Sequence, residues 1–190
     1  MKIDVAMLDC QVAITENAIV RYFAGDNPGP IGARHPTIAP FDAFQAKDRY
    51  LIMAVAGDDA YHTLCKTIGR DDLATDPRFT TNELRVQNQQ QLKDELLKTL
   101  ATKTAMEWID LLHKAGVPCG PINTIADVVK DPHVAARNMI VEVEDPTAGR
   151  VKMFGNPIKM SAFDDPHERA PAPDLDQDRA KILKELKGED

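Results

Sequence analysis

A chain of 190 residues, 43% apolar and 28% charged, has room for one domain or for a small domain with extra segments. Its formal net charge of -7 leaves no basic footprint for nucleic acid, and no apolar run approaches the roughly 18 residues of a membrane span. Cys10, Cys65 and Cys119 are too few and too widely spaced for a disulfide framework or a zinc site, and they fit reduced thiols in a cytoplasm.

Val5, Leu8, Val12, Ile19, Tyr22 and Phe23 recur at helical spacing and predict one amphipathic helix over residues 6–23, ended by Gly25. No segment close in sequence offers a cover for its apolar face. Gly25, Pro28, Gly29, Pro30, Gly32, Pro36 and Pro40 then crowd a stretch with Arg34-His35 at its middle. Such density forbids regular structure and marks a linker or a functional loop.

Phe41, Ala43 and Phe44, a polar turn at residues 46–49 and the apolar run from Tyr50 to Val55 predict a hairpin with a buried second strand. Asp58 or Asp59 is expected to cap a short helix through Ile68, closed by Gly69. Asp76-Pro77 has the form of another short-helix start. Residues 82–100 read as one helix with Leu92, Leu96, Leu97 and Leu100 on its buried stripe. Thr104 and Glu107 form a capping box that opens a helix burying Trp108, Ile109, Leu111, Leu112 and Ala115, and Gly116 ends it. Residues 116–123 follow as a rigid corner in which prolines fix φ and glycines permit close packing.

Beyond the corner, short helices are predicted from Thr124 and from Asp131-Pro132. Strands at 139–143 and 151–154 flank a turn at 146–149, and residues 157–160 read as a further extended piece. Residues 169–174 are proline-rich, and Ala180, Ile182, Leu183 and Leu186 suggest a last short helix.

The residues give little chemistry by themselves. The glycines at 29 and 32 lack the strand and helix that a phosphate loop needs. The five histidines lie far apart, so no metal site is expected. Cys119 reads as a packed thiol rather than a nucleophile, because it follows a helix C-terminus, which raises a thiol pKa. His35 beside Arg34 can approach an anionic ligand, and a solvated loop pair is the competing reading. On residue chemistry alone the chain is a soluble α+β domain.

The corner Gly116-Val117-Pro118-Cys119-Gly120-Pro121-Ile122-Asn123 resembles a signature of class III CoA-transferases, the group of formyl-CoA and carnitine-CoA transferases. Residues 32–44, from Gly32-Ala33-Arg34-His35-Pro36 to Phe44, are similar to that family's glycine/His-Pro segment. Asp76-Pro77-Arg78-Phe79, Asp131-Pro132-His133 with Arg137-Asn138-Met139, and Ile3-Asp4-Val5-Ala6-Met7-Leu8-Asp9 match further family patterns in the same order. The tail departs from the pattern, since Asp176 stands where the family usually has glycine.

The resemblance implies an α+β fold: a small inserted domain with an antiparallel sheet and helices, flanked by segments of a Rossmann-like large domain. Residues 1–39 and 146–190 would belong to the large domain and 40–145 to the small one. Family members run to roughly twice this length, so the chain looks like the C-terminal half of such an enzyme. The family's nucleophilic aspartate lies upstream of the Ile3-Asp4-Val5 stretch, so no catalytic residue is assigned here and the chain is expected to be inactive alone. The substrate-loop candidates are Gly32, Arg34 and His35. The resemblance implies a coenzyme A thioester as substrate with no bound cofactor, a carboxylic acid as second substrate, a cytoplasmic location and an interlocked homodimer in the complete enzyme. A relative of α-methylacyl-CoA racemase and a non-enzymatic α+β interaction module remain alternatives.

Overall fold

The computed structural model describes residues 3–188. The chain divides into two compact units, Met1–Ile122 and Asn123–Asp190.

The first unit begins with helices α1 (Met7–Ile14) and α2 (Glu16–Phe23). The single helix expected over 6–23 is broken at Thr15, whose hydroxyl donates to the Val12 carbonyl at 2.8 Å. A threonine that satisfies an upstream carbonyl competes with the helical ladder, and here it turns the chain. Neither helix buries a residue: Met7 is 87% and Phe23 84% exposed.

A three-stranded antiparallel sheet follows in the order β1 (Phe41–Gln45), β2 (Tyr50–Ala54), β3 (Cys119–Pro121). The register pairs Phe44 with Leu51 and Ile52 with Gly120. The rigid corner therefore does more than turn, because its middle is the third strand. β2 is buried on one face only. Leu51 and Met53 point to the core, while Tyr50 and Ile52 lie on the open face, so a run that reads as continuously apolar behaves as an alternating strand.

Five helices cover the inner face: α3 (Asp58–Thr67), α4 (Asp71–Thr75), α5 (Asn82–Gln87), α6 (Gln89–Leu100) and α7 (Ala105–Lys114). Phe44, Leu51 and Met53 join Tyr61, Leu64, Leu92, Leu96, Leu100, Trp108 and Leu112 in one buried cluster. Trp108 keeps its indole N–H satisfied inside by donating to the Leu100 carbonyl at 2.9 Å. Leu111, expected inside, is exposed, and Ala115 is half-buried.

The caps explain where helices start. Gly57, not Asp58 or Asp59, occupies the N-cap of α3, and Asp58 is free to pair with Arg85. Asp76-Pro77 starts no helix. Asp76 accepts from the Arg78 backbone N–H at 2.9 Å and closes a turn to Phe79. The helix expected over 82–100 breaks at Asn88, whose side-chain N–H donates to the Leu84 carbonyl at 2.9 Å. The Thr104–Glu107 capping box is present, and Asp48 from the β1–β2 turn adds a 2.7 Å acceptor for the Ala105 N–H. Two carboxylates thus meet the positive end of α7, and the hairpin turn is tied to it.

The second unit contains α8 (Ile125–Val128), α9 (Pro132–Ala136), β4 (Ile140–Asp145), β5 (Gly149–Phe154), β6 (Glu168–Arg169) and α10 (Arg179–Lys187). Asp127 completes a capping box on Thr124, and Asp131 caps α9. The sheet order is β5-β4-β6, with β4 and β5 antiparallel and β4 and β6 parallel. Residues 157–160 form no strand, and the third strand comes instead from the stretch that precedes the prolines. Gly155 closes against the end of α9, where a Cβ would lie 2.3 Å from the Asn138 carbonyl oxygen. Val141 is the one buried apolar side chain among the described residues of this unit.

Candidate functional site

The residues singled out by sequence, Gly32, Arg34 and His35, lie in the loop between α2 and β1. Gly32 has φ +73 with open space around it, so its backbone conformation rather than crowding favours glycine. Arg34 is exposed and donates to the Gln89 side-chain carbonyl at 3.1 Å. His35 stacks on Phe41 with ring centroids 5.1 Å apart and planes 18° apart. Its backbone N–H donates to the Phe41 carbonyl at 2.8 Å, and its Nδ1 accepts from the Thr37 backbone N–H at 3.2 Å.

The second half of the loop is fixed by α5. Asn82 donates to the Thr37 carbonyl at 2.8 Å and accepts from the Ala39 N–H at 3.2 Å. One turn on, Arg85 donates through Nε to the Ala39 carbonyl at 2.8 Å. The Arg85 guanidinium is fully buried, donates to the Phe79 carbonyl at 3.0 Å and to Asp58 at 2.7 Å, and lies 4.3 Å from the Tyr61 ring centroid. Burial, the largest influence, pushes the Tyr61 hydroxyl well above the usual tyrosine range, and it donates to the Leu73 carbonyl at 3.1 Å. A buried cation with every direction answered is an anchor, here joining the loop, α3, α5 and the Asp76–Phe79 turn.

Beside the loop, Pro36, Thr37, Asn82, Glu83, Val86 and Gln87 line a surface depression of about 260 Å³. On β1, the nearly buried Asp42 accepts from Lys93 of α6 at 2.6 Å. Asn82, Arg85 and the Asp42–Lys93 pair escape a reading of the sequence. Asn82 and Arg85 are three apart on a predicted helix, which puts them on one face, but nothing in their spacing says which loop they reach.

Cys119 is a packed thiol. Its Sγ lies 3.9 Å from the Ile109 carbonyl, and burial pushes its pKa up. Among the described residues no group of three or more His, Cys, Asp or Glu side chains converges to hold a metal ion. No helix among them is long and apolar enough to cross a membrane.

Residues 1–179 match the model of CoA-transferase family III. The chain is 45% identical over 185 residues to the acetyl-CoA:oxalate CoA-transferase of Acetobacter aceti, covering 97% of this chain and 46% of that protein. It is 31% identical over 185 residues to the succinyl-CoA:glutarate CoA-transferase of Homo sapiens, covering 97% of this chain and 42% of that one. The crystal structure of a CAIB/BAIF family protein from Brucella suis superposes with a TM-score of 0.76 at 34% identity, over 98% of this chain and 48% of that chain. The chain thus spans less than half the length of these relatives, with an α+β fold in common, and it belongs to CoA-transferase family III.

Proposed function

We propose that this chain is the C-terminal part of an enzyme that moves CoA between an acyl-CoA and a carboxylic acid. The observation that carries the reading is the 45% identity over 97% of the chain to a CoA-transferase of which it spans only 46%. The nucleophilic aspartate lies outside these 190 residues. Its carboxylate attacks the thioester carbonyl, the C–S bond breaks, and a mixed anhydride and CoA thiolate result. The thiolate then attacks the aspartyl carbonyl, giving an aspartyl-CoA thioester and releasing the first acid. The second acid's carboxylate attacks that thioester and expels the thiolate, which takes the new acyl group and restores the aspartate. No co-reactant is consumed.

Within this reaction the chain contributes the loop around Gly32, Arg34 and His35, set beside the reacting acyl group. The loop's support is in keeping with that task, since Asn82 and Arg85 hold its second half to the helical layer. Residues 1–39 and 146–190 pack on the rest of the enzyme, and the bare apolar faces of α1 and α2 fit that role. The complete enzyme is a dimer of interlocked chains working in the cytoplasm.

Peptide mass analysis of the complete polypeptide after incubation with an acyl-CoA tests where the nucleophile lies. The expected CoA adduct sits on an aspartate outside the 190 residues. An adduct on any Asp or Glu within them overturns the assignment.

A further inference from the structure

The loop holds more chemical information than its composition. A backbone N–H can only donate, so the 3.2 Å contact from Thr37 N to His35 Nδ1 makes Nδ1 an acceptor and puts the ring proton on Nε2. The Thr37 hydroxyl lies 3.5 Å from the same nitrogen and can only reinforce that choice by donating. Stacking on Phe41 fixes the plane of the ring, and the bond from His35 N to the Phe41 carbonyl fixes the backbone beneath it. Nε2 makes no hydrogen bond among the described residues. Thr37 is itself held from α5, because Asn82 donates to its carbonyl and accepts from Ala39 two residues on.

We propose that His35 is a specificity-determining residue that presents a neutral Nε2–H donor to a carboxylate oxygen of the acid substrate, and that Asn82 is the positioning residue that sets its tautomer through Thr37. The inference rests on the loop lying at the acyl site, as argued above. A neutral donor suits this chemistry. It recognises a carboxylate without pairing it with a full positive charge, and so leaves the carboxylate nucleophilic enough to attack the thioester. Arg34, the neighbouring cation, is already engaged by Gln89.

The test has two arms. In the first, long-range ¹⁵N–¹H spectra of the imidazoles are recorded for the chain and for Asn82→Ala, with the amide signals of Leu96 and Leu112 as a check that the core is intact. The proposal expects a single Nε2–H tautomer at His35 and a mixture of tautomers in Asn82→Ala. An Nδ1–H ring in the unmodified chain, or an Asn82→Ala spectrum identical to it, overturns the inference. In the second arm the complete polypeptide is assayed for CoA transfer. His35→Leu should raise KM for the acid by about tenfold, with a smaller change in KM for the acyl-CoA, and His35→Gln, which keeps a neutral donor, should restore most of the loss. An unchanged KM in His35→Leu overturns the donor role while leaving the tautomer result standing. Absence of any CoA transfer by the unmodified polypeptide overturns the proposed function instead.

Discussion

Residues 39–122 and their flanks are built from similar apolar content but use it in opposite ways. The middle gathers nineteen side chains into one buried cluster around Leu51, Met53, Leu96 and Leu112. In the flanks Val141 is the one buried apolar residue among those described, while Phe23, Phe154 and Leu175 stand 77% exposed or more. The comparison separates a region that holds itself together from regions that bury almost none of their apolar side chains within this chain.

Truncations at matched leucines should expose the contrast most strongly. Leu96→Ala should cost about 3 kcal/mol of stability in urea or thermal unfolding, and Leu186→Ala no more than about 0.5 kcal/mol in the isolated chain. Equal losses at both sites would erase the distinction between the regions. Arg85→Met comes next. It leaves the Ala39 and Phe79 carbonyls without their donor and Asp58 without its cation, for a loss on the order of 3 kcal/mol and faster amide exchange at Val55, which bonds the adjacent Pro40 carbonyl.

In the flank, where little core resists change, backbone geometry should dominate. Gly155→Ala forces a Cβ against the Asn138 carbonyl and should cost about 2 kcal/mol, read as lost protection of the Gly155 amide, which donates to Met139. Asp176 works in the other direction. It adopts φ +70, a backbone conformation that favours glycine, and its carboxylate makes only an exposed pair with Arg179, so Asp176→Gly should stabilise the start of α10 by about 0.5 kcal/mol, seen as slower exchange at Ile182.

The smallest effect is a pH dependence in the middle region. The Ala105 N–H holds the Asp48 carboxyl below its ordinary range. A depressed folded pKa contributes stability that is present above the ordinary carboxylate pKa and is lost as pH falls through the folded value. Asp48→Asn should therefore lower Tm slightly at neutral pH and match the parent chain in acid. A difference that persists unchanged at low pH would contradict the ion's role at α7.

Much of this architecture is legible in the sequence where a local rule and the tertiary environment agree. The Thr104–Glu107 box, the hairpin turn at 46–49 and the Asp131 cap follow from side chains that answer nearby backbone groups. The misreadings occur where a polar side chain acts against the pattern around it. Thr15 and Asn88 satisfy upstream carbonyls and divide helices whose apolar spacing runs straight through them. Tyr50 and Ile52 look like core residues in a continuous apolar run, but the face on which they lie is open. The site is legible only in outline. The glycine and proline density marks the loop, and Arg34-His35 marks its chemistry, yet its anchors at Asn82 and Arg85 act across more than forty residues of chain, beyond the reach of any local rule.

The most direct measurement follows CoA transfer from an acyl-CoA to a panel of carboxylic acids, comparing the 190-residue chain with the longer polypeptide proposed to carry it. The account predicts a new CoA ester with the complete polypeptide and none with the chain alone. Transfer by the 190 residues alone, or epimerisation of an α-methylacyl-CoA by the complete polypeptide without transfer to any acid, would contradict it.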